Sequence, residues 1–252
     1  MDQHAERGPL VRAAAFFVAL ALCAPTAPAM AQCRQALALG LDVSGSVDAA
    51  EFRLQLDGLA HALVSRPVRQ AILSPDRTTV ALAVFLWSGR DAERLVLDWT
   101  EIRDSAALDA VAERLLMWND RPTAPTTAVG SAMARGAALL RRAPACWGRT
   151  LDISGDGQSN DGPRPSHVRR TIPDEILINA LVIVDASTAR QLPGYFRAEV
   201  IHGPGAFVEV ANGFADYQRA MERKLVRELA ARVLGHEAAP SGGVGGHPVR
   251  WQ

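Results

Sequence analysis

Asp42, Ser44 and Ser46 alternate in the run Leu41-Asp42-Val43-Ser44-Gly45-Ser46. In an extended segment, residues two apart point the same way, so this spacing converges one carboxylate and two hydroxyls on a small hard cation. The same residue types also serve as turn and cap groups in a strand-to-helix loop, so the triplet needs support from elsewhere in the chain. Two further segments supply it. Pro125-Thr126-Thr127-Ala128-Val129-Gly130 places Thr127 at the start of an expected helix, and Ser154-Gly155-Asp156-Gly157 places Asp156 at the end of an expected strand. Two carboxylates and three hydroxyls offer about five oxygens, which suits Mg2+ or Mn2+ better than a high-affinity Ca2+ cage. One position of a roughly octahedral shell is then left for water or for a carboxylate brought by a partner. With a divalent ion the two carboxylates make a neutral site.

Those residues need a scaffold that brings three distant segments together. Residues 35–41 form a nearly continuous apolar run, as in a strand buried on both faces of a parallel sheet. Residues 48–64 carry Phe52, Leu56, Leu59 and Leu63 at helical spacing, with Arg53, Gln55 and Asp57 assigned to the other faces. Residues 78–86 and 94–100 alternate as strands around a short polar stretch and imply an antiparallel pair. Helices are expected over 105–118 and 127–142, strands over 150–154, 176–184 and 207–210, and a closing helix over 215–234. A brief helical segment is expected from Ser166, and another helix begins near Ser187 with Asp185 as its cap. The alternation predicts an α/β fold: a doubly wound, mostly parallel six-stranded sheet with one antiparallel edge strand and helices on both faces. In such a sheet ligands bind beyond the carboxyl ends of the strands, where all three motif segments fall.

The three segments together resemble the metal-ion-dependent adhesion site of von Willebrand factor A domains: Asp-x-Ser-x-Ser, then a Thr opening a helix, then Asp-Gly. More narrowly, LDVSGSVDAAEFRLQ, Trp87, DISGDGQSNDG and GPGAFVEVANGF resemble an uncharacterised bacterial family of secreted A-domain proteins (domain of unknown function 1194). The resemblance implies that Asp42, Ser44, Ser46, Thr127 and Asp156 hold the metal, directly or through water, and that an acidic group of a partner completes the shell. Two positions depart from the A-domain pattern: Thr126 stands where Gly is usual before the threonine, and Gly155 where Thr is usual before the last Asp. The register of Ala132-Met133 and Gly130 favours Thr127 over Thr126 as the ligand.

Other polar residues have plainer readings. Asp152 lies inside a strand, where a buried carboxylate needs a partner, so a paired supporting role is expected of it. Asn160 and Asp161 suit an Asn-Asp-Gly-Pro turn. Trp87 ends a strand near the expected site, and packing is its default role. No His or Glu accompanies the motifs as a general base, and neither a Gly-x-Ser-x-Gly elbow nor a second metal cluster is present. A binding module is therefore favoured over an enzyme. The alternatives are a metal-assisted hydrolase of a phosphate or acyl ester, and a metal-free structural subunit of the cell envelope.

Lys plus Arg and Asp plus Glu each total 27, so no net charge points to nucleic acid. Arg7 and Arg12 precede an apolar run over 13–24 that is too short to span a bilayer. Ala29 and Ala31 follow at peptidase positions, so residues 1–31 read as a signal peptide cut before Gln32. Bulky Leu22 before Cys23 argues against lipidation. Export to the periplasm or beyond leaves Cys33 and Cys146 as an even pair in an oxidising compartment, and one disulfide is expected. The A-domain strand order implied by the resemblance would bring their strands side by side. Residues 32–235 would form the domain, and the Gly- and Pro-containing stretch 236–252 a loose tail.

Overall fold

The computed structural model describes residues 32–74, 78–122 and 124–237. Its strands are β1 (Gln32–Asp42), β2 (Thr78–Trp87), β3 (Glu93–Ile102), β4 (Gly148–Gly155), β5 (Ile176–Val184) and β6 (Val208–Asn212). The helices are α1 (Ala49–Val64), α2 (Arg66–Leu73), α3 (Ser105–Met117), α4 (Val129–Arg141), α5 (Pro165–Arg169), α6 (Leu192–Glu199) and α7 (Tyr217–Glu237). The sheet order is β3-β2-β1-β4-β5-β6, with β2 and β3 antiparallel and every other pair parallel. This is the doubly wound sheet with one antiparallel edge strand that the alternation of elements implied.

Two apolar layers sandwich the sheet. On one face Leu37, Leu39 and Leu41 of β1 pack with α1, α3 and α7 through Leu56, Leu63, Leu108 and Leu225. On the other, Ala36 and Ala38 pack with α4 and α6 through Met133, Leu140 and Phe196. The missing side chain of Gly136 lets α4 lie close to β4: a Cβ there would come within 2.2 Å of the Leu151 side chain.

Several element boundaries differ from expectation. Helix α2, opened by Pro67 in its first turn, was not foreseen, because eight residues show too little periodicity to read. Helix α4 starts at Val129, two residues after Thr127. The helix expected near Ser187 begins only at Leu192, because residues 185–188 are tied into a turn by Asp185. Gln55 is fully buried rather than turned to an outer face: its Nε2 donates to the Asp42 carbonyl (2.9 Å). It is a polar residue placed inside by a backbone acceptor that the helical pattern does not reveal.

The crossovers from β1 and β4 leave in opposite directions along the sheet, so a crevice opens between their carboxyl ends. At the other end of the same strand pair, Cys33 and Cys146 are joined in a disulfide with Cα atoms 4.5 Å apart. The adjacent Trp147 N–H donates to the Cys33 carbonyl (3.0 Å).

Candidate metal centre

Asp42 is the last residue of β1 and is completely buried. Its Oδ1 accepts the Ser44 N–H (2.8 Å), which curls the chain out of the strand. Its Oδ2 has no hydrogen-bond partner. Burial, and after it the charge of Asp156, pushes the Asp42 carboxyl up to about 7. The next two motif residues continue the line: Ser44 Oγ lies 3.4 Å from Ser46 Oγ, and Ser46 Oγ donates to Asp156 Oδ1 (2.8 Å). Asp156 follows β4 directly and is half-buried. Burial raises its pKa, and the charges of Glu51 and Asp185 raise it further. Asp42, Ser44, Ser46 and Asp156 thus meet in the crevice between β1 and β4.

Thr127 joins them through a second loop. Its backbone is gripped from both sides by residues 159–161: its N–H donates to Asn160 Oδ1 (2.8 Å), and its carbonyl accepts the Asn160 N–H (2.9 Å) and Asp161 N–H (3.2 Å). Ser159 Oγ accepts the Val129 N–H (3.2 Å), so the first turn of α4 is capped from another loop, while its own N-cap, Ala128, offers no side chain for the purpose. A Cβ on Gly157 would lie 3.9 Å from Thr127 Oγ1, which sets that hydroxyl beside the Asp156 loop. Thr126 Oγ1 instead donates to Asp161 Oδ2 (3.1 Å), whose carboxylate also binds Arg90. That pairing drives the Asp161 carboxyl well below the usual range. Asn160 and Asp161, expected as simple turn residues, therefore tie together the loops that carry Thr126, Thr127 and Arg90.

The loops can approach only where side chains are missing. A Cβ on Gly45 would lie 2.9 Å from the Pro125 carbonyl oxygen, and one on Gly130 2.0 Å from that of Pro163. At the inner wall a Cβ on Gly155 would lie 3.2 Å from Asp42 Oδ2 and 3.3 Å from Phe196 Cζ.

Asp185 does not join the cluster by contact. Its Oδ1 accepts the N–H groups of Ser187 and Thr188, which lowers its carboxyl to about 2, the Ser187 hydroxyl contributing first. Its charge nevertheless reaches Asp156, as does that of Glu51, a half-buried residue committed to a capping box with Asp48. Asp152 points to the opposite face and is ion-paired with Lys224, which also holds Glu228 (2.7 Å); all three are buried. Burial raises the Asp152 carboxyl against the pull of Lys224. Sequence reading expected a partner for Asp152 but missed Lys224, whose position in the last helix carries no mark of burial.

A divalent cation fits this donor set. Asp42 Oδ2 is a buried acceptor without a donor, two carboxylates whose pKa values are raised crave a positive charge, and the neighbouring donors are hydroxyls, as hard cations prefer. Among the described residues no group of three or more His, Cys, Asp or Glu is arranged to hold a metal. The two carboxylates and three hydroxyls expected from the sequence would make a centre of a different kind.

The structure is similar to a von Willebrand factor type A protein from Catenulispora acidiphila (TM-score 0.53, 13% identity, covering 79% of this chain and 42% of that one). It is also similar to proximal thread matrix protein 1 from the mussel byssus with a zinc-occupied MIDAS motif (TM-score 0.53, 15% identity, 79% and 48%). A third similar structure is the pilus adhesin SpaC from Lactobacillus rhamnosus GG in an open conformation (TM-score 0.53, 12% identity, 80% and 30%). The chain spans less than half the length of each of these three. No curated protein matches the sequence. Residues 32–233 match the family described as protein of unknown function (DUF1194). With that match over most of its length, the chain belongs to the DUF1194 family, and its fold is that of a von Willebrand factor A domain.

Proposed function

We propose that the protein is a secreted binding module that captures a protein or surface ligand through a divalent cation held by Asp42, Ser44, Ser46, Thr127 and Asp156. The observation that carries this reading is the fully buried Asp42, whose Oδ2 has no donor, at the end of the strand beside which Ser44, Ser46 and Asp156 are linked through their side-chain oxygens. Mg2+ or Mn2+ would neutralise the two carboxylates and present an electrophilic position to an acidic group of the partner. The chain's own residues supply the rest: Ser44 N–H fixes the rotamer of Asp42, and Asn160 and Ser159 fix the Thr127 loop. The pilus adhesin and the zinc-occupied MIDAS among the similar structures support a binding role of this type. The Cys33–Cys146 bond supports export. Among the described residues no helix is long and apolar enough to cross a membrane. The proposed signal peptide, residues 1–31, and the proposed tail, 238–252 of it, lie outside the described residues.

Isothermal titration with Mg2+, Mn2+ and Ca2+ tests the site. Capture of envelope proteins with and without EDTA, beside a phosphatase and esterase screen, tests the role. The expected result is cation-dependent capture without turnover. Metal-dependent hydrolysis lost in Asp42→Ala would replace this reading by an enzyme.

A further inference from the structure

Trp87 ends β2 in register with Asp42 at the end of β1, and its carbonyl accepts the Val43 N–H (2.8 Å). The indole is only 2% exposed, and its Nε1 has no hydrogen-bond partner. An indole nitrogen is a donor and nothing else, so a buried one is expected to be paired. Asp42 Oδ2, on the strand paired with β2, is a buried acceptor that is likewise unpartnered. Both side chains border one point: a Cβ on Gly155 would lie 3.2 Å from Asp42 Oδ2 and 3.5 Å from Trp87 Cζ2. Cζ2 and Nε1 are bonded to the same ring-fusion carbon, so the N–H sits next to the ring atom that faces Gly155. The absence of a side chain at Gly155 is what leaves room for that part of the ring. Phe196 Cζ, 3.3 Å from the same point, helps close the inner wall against solvent.

We infer that Trp87 is a positioning residue of the metal centre: its indole N–H supplies the inner-wall hydrogen bond that orients the Asp42 carboxylate, directly or through one bridging water, when the cation is bound. The inference rests on the proposed metal site. Its chemistry is that of an outer-shell donor, which holds a ligating carboxylate in one rotamer and stabilises its ionised form. A ring that merely filled the core would have no need of a buried N–H beside a carboxylate. Phe196 shows that a hydrocarbon ring is accepted at this wall.

The test uses the protein from Gln32 onward in an oxidised state, with Mg2+ as the probe. In wild-type protein labelled with 15N, the Trp87 indole N–H resonance should shift and exchange more slowly with solvent on saturation with Mg2+, alongside the Ser44 amide. Trp87→Phe should weaken Mg2+ affinity about ten- to a hundredfold, while Trp99→Phe, whose indole donates to the Leu139 carbonyl across the sheet's outer part, leaves it unchanged. In the double variant Trp87→Phe with Gly155→Ser, a serine hydroxyl placed beside Asp42 Oδ2 should recover most of the loss. Simple repacking would not produce that rescue. If the Ser44 amide shifts but the Trp87 indole does not, Trp87 is a packing residue and the inference falls, even if Trp87→Phe fails to fold. If wild-type protein gives neither heat nor a Ser44 shift with Mg2+, the metal site itself is lost and the inference with it.

Discussion

At the scale of single residues the centre is organised around an unfavourable act, the burial of Asp42. The carboxyl is pushed up to about 7 by burial and by Asp156, above the value near 4 expected in an unfolded chain. A raised acid pKa means that the folded state binds the proton more tightly, so without metal its contribution is fully present below about pH 4 and is lost as pH rises toward 7. Metal-free wild-type protein should lose roughly 4 kcal/mol across that window relative to Asp42→Asn, at ~1.4 kcal/mol per unit; denaturant midpoints of the two proteins at several pH values measure it. Mg2+ affinity should rise with pH over the same range, since the cation and the proton compete for one carboxylate. Asp42→Ala and Asp156→Ala should each abolish Mg2+ binding by calorimetry while circular dichroism stays native. Thr127→Ala should weaken binding more than Thr126→Ala, because the Thr126 hydroxyl is spent on Asp161.

At the scale of elements, the loops hold each other. Helix α4 begins without a side-chain cap of its own and borrows Ser159, while Asn160 holds the Thr127 N–H. Ser159→Ala should cost about 1 kcal/mol, as lost caps do, and should weaken Mg2+ binding although Ser159 is not among the proposed ligands. Thermal unfolding and calorimetry on the same sample separate the two effects. Gly130→Ala should be worse, because its Cβ would fall 2.0 Å from the Pro163 carbonyl oxygen, a backbone atom with no rotamer to move. A loss of several kcal/mol is expected there, as for other overpacking.

Across the whole molecule the stabilising devices and the site are kept apart. The disulfide closes a separation of 113 residues at the end of β1 and β4 opposite Asp42. On the chain-entropy model it contributes up to about 4 to 5 kcal/mol. Reduction should lower the melting temperature yet leave Mg2+ affinity within a factor of about two, provided the reduced protein is still folded. The Asp152–Lys224–Glu228 cluster ties α7 to the sheet on the face away from α4. Removing its only cation, as in Lys224→Met, strands two buried carboxylates and should cost about 3 to 5 kcal/mol. Equilibrium unfolding in urea is the direct measurement.

Order along the chain was enough to read the architecture, because hydrophobic period and turn residues are local properties: the β1 run, the β2–β3 hairpin and the Leu positions of α1 all stand where their patterns put them. The Asp-x-Ser-x-Ser triplet was legible for the same reason, its geometry being that of one extended segment. Contacts between segments were not. Nothing local tells that Gln55 turns inward to the Asp42 carbonyl, that Ser159 and Asn160 cap another loop, or that Lys224 sits between two acids. Each is a polar group whose place depends on a partner in another element of the fold. The Trp87 indole edge and the space left by Gly155 belong to this second kind. Residue types and spacing nominated the oxygens, and only tertiary packing decided which groups surround them, because burial and hydrogen-bond partners are properties of the folded neighbourhood and not of the chain's own order.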